Sequence, residues 1–103
     1  MKRNSRGFLI NEFIDRYGAK CSIQESSLGE EAAIWFGVDD PQPTIMVSDA
    51  KKLGMKTSAE SGWVDYFIPE EVLLTTRMHL TQEMVKELLP MLEHFVETGF
   101  LPK

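Results

Sequence analysis

The 103-residue chain has one cysteine and two histidines, and that scarcity removes several classes of protein at once. A single thiol cannot build an internal disulfide framework, and no Cys/His cluster has the spacing of a zinc site. No apolar run approaches the eighteen or so residues needed to span a bilayer. The glycines, at 7, 18, 29, 37, 54, 62 and 99, are scattered, so no phosphate-cradling loop is present. Bases are outnumbered by acids, eleven to sixteen, which gives a net charge of −5 and no basic footprint for direct nucleic-acid binding. The basic start Met1–Gly7 is followed by neither an uninterrupted apolar core nor a small-residue cleavage site, so it does not read as a secretory signal.

What is present fits one soluble globular domain, residues 1–103. Apolar residues make up 43% and charged residues 26%, ordinary proportions for such a protein. A chain of this length buries roughly two thirds of the surface it exposes when unfolded. Charge is uneven: residues 1–52 carry seven bases and eight acids, residues 53–103 four bases and eight acids.

Periodicity predicts an α+β fold, a curled antiparallel sheet of about four to six strands packed against one C-terminal helix. Residues 7–15 alternate, with Phe8, Ile10 and Ile14 on one face and Leu9 and Phe13 on the other. Asp15-Arg16-Tyr17-Gly18 is a turn signal, since Asp caps nearby N–H groups and Gly accepts positive φ at the exit. Residues 19–26 alternate again and complete a hairpin. Residues 32–38 are apolar on both faces and read as a central strand that the 39–43 segment, with Pro41 and Pro43, ends, and 44–47 read as a further short strand. Ser48 offers an N-cap for a short helix over 49–53. Residues 63–68 and 75–80 read as strands, with one helical turn begun by Pro69 between them. Thr81 caps a helix over 82–97 that Gly99 stops. Met84, Val85, Leu88, Met91, Leu92, Phe95 and Val96 form its apolar stripe, which is expected to cover one face of the sheet. Pro90, inside it, predicts a bend.

Few residues offer chemistry. Cys21 alternates with Ile23 on a strand and reads as a packed thiol. His94 falls on the polar face of the helix. His79, between Met78 and Leu80, could act as a general base if an acid such as Asp65 oriented it. Asp39-Asp40 and Glu70-Glu71 lack the ligand spacing of a calcium loop. The Lys51, Lys52, Lys56 and Arg3, Arg6, Arg16 groups could touch phosphate or be plain surface. No catalytic, cofactor or metal site is therefore expected. The polar run Gln24-Glu25-Ser26-Ser27 has two open readings, a self-capped turn or a recognition edge. Trp63 and Tyr66, and Arg16 at the turn, are further candidates for contact with a partner, although Trp63 suits a core equally well.

Ordered blocks carry a resemblance. Arg6-Gly7-Phe8, then Glu12 through Ser27, then Ala33-Ile34-Trp35-Phe36-Gly37-Val38, Thr76 through Thr81, Leu88-Leu89-Pro90 and Phe95 through Gly99 are similar to a family of small proteins encoded by tailed bacteriophages and prophages. The similarity runs over nearly the whole chain. It brings no catalytic residues to map onto these positions. It implies an accessory role in the cytoplasm of the bacterial host. From it follows the expectation of a non-enzymatic protein that binds a host or phage protein, such as an inhibitor of a defence system of the CRISPR–Cas kind; the alternative is a module that binds a nucleotide or signal molecule in a pocket between the sheet and the C-terminal helix. Self-association through a sheet edge or the Met-bearing helix face is a further expectation.

Overall fold

The computed structural model describes residues 2–26 and 31–103. Its contacts group the chain into two compact units, Met1–Asp39 with Thr76–Lys103, and Asp40–Thr75. The first holds a five-stranded antiparallel sheet in the order β1 (Lys2–Arg3), β2 (Leu9–Ile14), β3 (Lys20–Glu25), β4 (Ala33–Val38), β7 (Arg77–Thr81), followed by helix α2 (Gln82–Thr98). The fold is α+β, as the periodicity predicts.

Local chemistry explains each connection. Asn4 builds the first turn: its Oδ1 accepts the N–H groups of Arg6 (3.0 Å) and Phe8 (3.1 Å), and Gly7 adopts φ +85°. The basic start is thus an edge strand, β1, closed on β2. Asp15 builds the second turn, with Oδ1 accepting from Tyr17 and Ala19, both at 2.9 Å. β4 lies between β3 and β7, and all six of its residues are half-buried.

Alternation sorts the sheet into two unlike faces. Register pairs Ile10 with Gln24, Gln24 with Trp35, and Trp35 with His79, so these four form one row across the sheet. Glu12, Ser22, Gly37 and Arg77 form the next row on the same face. The opposite face is apolar, with Phe13, Cys21, Ile23, Phe36, Val38 and Met78 among its residues. There the Phe13 and Phe36 rings meet edge to face, 6.1 Å between centroids. Ser22 is fully buried, and its Oγ donates to Asp39 Oδ1 at 2.6 Å. That bond satisfies the one buried polar side chain of the sheet among the described residues.

The second unit contains the two-stranded sheet of β5 (Thr44–Met46) and β6 (Trp63–Asp65), with α1 (Val47–Lys52). Val47 and Ala50 of α1 are its buried residues. The helix begins one residue before the expected cap: Met46 occupies the N-cap position without a side-chain bond, and Ser48 lies inside the first turn. β6 ends at Asp65, short of the expected 68, and Pro69–Val72 closes as a turn rather than as a helix.

Helix α2 departs from expectation in where its stripe lies. Thr81 is at once the last residue of β7 and the N-cap of α2, its Oγ1 accepting from Met84 N at 3.3 Å. With no loop between them, the chain cannot fold the helix back over the sheet face, a reversal that normally takes a connection of several residues. The helix touches the sheet through β7, and no residue in it is buried. Pro90 stands inside a continuous helix. Gly99, at φ +79°, ends it as expected.

At Gly37 (φ +152°) a Cβ would lie 2.6 Å from the Thr76 carbonyl oxygen and 2.8 Å from Arg77 Cα. The strand can therefore meet β7 only with hydrogen at this position. Gly37→Ala should lose about 2 kcal/mol or more in urea unfolding. Gly7→Ala, strained in φ but meeting nothing within 4 Å, should lose less.

Candidate functional site

The polar face of the sheet gathers the side chains with chemical potential. The rings of Trp35 and His79, paired across β4 and β7, stack at 4.0 Å with a 12° tilt. The Arg77 guanidinium carbon lies 5.4 Å from the Trp35 ring centre, within cation–π range. Asn4 Nδ2 donates to Gln24 Oε1 at 3.4 Å, joining the first turn to the row. Ser26 Oγ and His79 Nε2 lie 2.7 Å apart, the donor being set by the imidazole tautomer.

The described residues of the Gln24–Ser27 run divide between the two faces of the sheet. Gln24 and Ser26 project onto the polar face, where both engage side chains distant in sequence. Glu25 points the other way by alternation, and its Oε1 accepts from Leu9 N at 2.6 Å. Ser27 lies outside the described residues. Arg16 sits exposed in the β2–β3 turn, at the far end of that hairpin from Gln24. Trp63 and Tyr66 belong to the second unit, both exposed, Trp63 at 67%. Of the expected partner-binding residues, then, Gln24 and Ser26 meet in one constellation. Its other members, Asn4, Trp35, Arg77 and His79, escape sequence reasoning because strand register alone brings them together. The one available signal is period two: Trp35, Arg77 and His79 each occupy alternate positions of predicted strands.

The Ser26–His79 contact has the separation of a nucleophile and its base. A working serine also needs its histidine oriented through the second ring nitrogen, as well as donors aimed at the developing oxyanion. Among the described residues no side chain bonds His79 Nδ1, and the ring is held by stacking on Trp35. Asp65, the acid expected to orient His79, belongs to the other unit. Among the described residues no group of three or more His, Cys, Asp or Glu is placed to hold a metal. No helix among them is long and apolar enough to cross a membrane.

Cys21 lies on the apolar face, buried. Burial raises its thiol pKa above the ordinary value, and the nearby Asp15 and Asp39 charges raise it further. No protein-family model, curated protein or solved structure matches the chain.

The raised thiol pKa fixes a pH dependence. The folded state holds the thiol proton more tightly than the unfolded chain, so this group's contribution to stability is present at neutral pH and fades as pH rises through the thiol range. Alkylation of native Cys21 by iodoacetamide should therefore be slow at pH 8 and reach its half-maximal rate above the pH found for the urea-unfolded chain. Equal profiles in the two states would contradict the burial.

Proposed function

We propose that the protein acts by binding another protein, and that α2 carries the contact. The supporting observation is the exposed apolar stripe on that helix: Leu88, Met91, Leu92 and Phe95 are all exposed, and Val96 is 82% exposed. Water-facing side chains of this kind, contiguous over about two and a half helical turns, mark an interaction surface rather than ordinary solvent-exposed helix. Burying each against a partner contributes roughly 1.5–3 kcal/mol.

Charge selects the kind of partner. α2 carries four glutamates and one lysine, and on a helical wheel Glu83 and Glu87 border the stripe. Two copies laid helix to helix would set these acids against one another, which weakens self-pairing. A different protein, offering an apolar groove rimmed by Lys or Arg, takes the helix in the familiar helix-in-groove manner. The resemblance to phage-encoded proteins makes that partner a host or phage protein in the bacterial cytoplasm. An inhibitor that occupies a groove on a defence nuclease fits both the acidity and the small size.

A second reading, acyl transfer at Ser26, has the 2.7 Å contact with His79 behind it. A fluorophosphonate probe separates the two, because it forms an Oγ–P bond, with loss of fluoride, only where a base takes the hydroxyl proton. Binding without catalysis predicts no labelling. Labelling that disappears in both Ser26→Ala and His79→Ala would favour the enzyme.

The binding reading predicts that the chain forms a stoichiometric complex with one protein from the infected host. The double variant Leu88→Glu/Phe95→Glu should weaken that complex at least 100-fold in titration calorimetry while leaving the sheet's thermal transition in place. Glu83→Lys with Glu87→Lys should weaken it about tenfold and reduce its salt dependence. Expression of the wild type, but not of the double variant, should raise the plating efficiency of a phage targeted by the defence nuclease. A purified chain that dimerises, and whose dimer the same double variant dissociates, would overturn the reading in favour of self-association.

A further inference from the structure

We infer that the polar face of the sheet holds a second binding site, one for a small phosphomonoester, independent of the α2 contact. A hollow of about 240 Å³ opens between the 4–8 turn and the sheet, lined by Asn4, Ser5, Arg6, Phe8, Gln24, Glu25, Trp35 and Arg77. Its hydrogen-bonding capacity is lopsided. Asn4 Oδ1 is consumed by the Arg6 and Phe8 N–H groups, and Gln24 Oε1 by Asn4 Nδ2. The Glu25 carboxylate is engaged by Leu9 N. Among the lining groups without such a partner, donors outnumber acceptors: two guanidinium groups and the Gln24 amide nitrogen stand against the Ser5 hydroxyl and the second Glu25 oxygen. Among the described residues the only ion pair is Lys2–Glu12, so neither Arg6 nor Arg77 is neutralised by a carboxylate.

Arg77 is the informative member. It is half-buried, held against the Trp35 ring, and projects from the position opposite Gly37, where the absence of a side chain lets β7 approach. A guanidinium kept partly out of water on an aromatic face, unpaired, is poised for an anion. Arg6 reaches the same hollow from a turn that Asn4 fixes by two side-chain bonds and Gly7 by its conformation.

Two cations lining one hollow suit a phosphoryl group, which carries about −1.5 to −2 charges at neutral pH, better than one carboxylate, which a single fork of Arg donors satisfies. The volume exceeds that of a bare phosphate ion and falls below the usual drug-sized pocket, which starts near 300 Å³. It leaves room for a small organic body against Phe8 and Trp35. The ligand class is therefore a small phosphate ester with a compact, apolar or planar group.

Fluorescence tests this directly. The chain has two tryptophans, so in Trp63→Phe the remaining signal comes from Trp35 alone. Phenyl phosphate, inorganic phosphate, benzoate and chloride are titrated at constant ionic strength into that variant. The site predicts a saturable change with phenyl phosphate, half-saturating at least fivefold below inorganic phosphate, and weaker or no saturation with benzoate and chloride. Adding Arg77→Gln should raise the phenyl phosphate midpoint at least tenfold. Arg6→Gln, at an exposed turn position that the fold does not need, should do so as well, which guards against Arg77→Gln acting through unfolding. Linear, unsaturated changes that are the same for all four anions, or saturation untouched by Arg6→Gln, would overturn the site. Neither result bears on Leu88 and Phe95, so failure here and failure of the protein-binding reading remain distinguishable.

Discussion

The register of β4 between β3 and β7 is the constraint on which the polar site rests. Because side chains alternate with a period of two, a slip of one residue would send Trp35 to the apolar face and replace it with Phe36 or Ile34. Gln24, Trp35 and His79 then could not share a row, nor Arg77 reach the Trp35 ring. Two features hold the register. The apolar residues of β4 on the opposite face, Ile34, Phe36 and Val38, would all turn to the polar side in a slip. Gly37 adds a steric condition, since it is the one residue of β4 without a Cβ and it sits where the Thr76 carbonyl closes to within contact distance. The Thr76 hydroxyl in turn donates to the Val38 carbonyl at 2.8 Å, closing the same end of the pair.

Helix α2 obeys a different constraint. A helix of its length is marginal in water by propensity alone, and Pro90 removes an internal hydrogen bond at a cost of about 3 kcal/mol. Its ends are well made: Thr81 accepts the Met84 N–H at the start, and Gly99 N donates to the Phe95 carbonyl at the finish. Caps contribute about 1 kcal/mol each, less than the proline costs. The stripe is the remaining source of stability, and in the isolated chain it is not used. A helix of this composition gains its full stability when something covers Leu88, Met91, Leu92 and Phe95.

The parts of the fold legible in the sequence were those specified locally. Asp15 to Gly18 announces its turn because one carboxylate caps two N–H groups and one glycine takes positive φ, all within five residues. Thr81 and Gly99 mark the ends of α2 for the same reason. The first hairpin carried an equal signal, Asn4 followed by Gly7, but its strand β1 is two residues long and charged, too short for any period to show. The site was illegible because it is non-local: Ser26 and His79 are separated by 53 positions, and pairing between β4 and β7 brings them together. The position of α2 was misread because amphipathicity says that a face seeks cover without saying whose. The missing information lay in the junction, where a threonine serves both strand and cap and leaves no residues for a reversal.

Net charge conceals how these surfaces divide. Of the overall −5, the helix Gln82–Thr98 holds four acids and one base, a net of −3 over seventeen residues. The polar sheet face differs at its Asn4–Arg77 end, where two arginines and one glutamate line a hollow and neither arginine is ion-paired among the described residues. A single composition of acids and bases is therefore compatible with the two proposed recognitions of opposite sign, an acidic apolar helix toward a basic groove and an arginine-lined hollow toward an anion. At physiological ionic strength the screening length is about 8 Å, so each surface is felt mainly by what touches it. The two proposed contacts can therefore involve different molecules without one field cancelling the other, and an acidic chain is no obstacle to holding a phosphate where two guanidinium groups line one hollow.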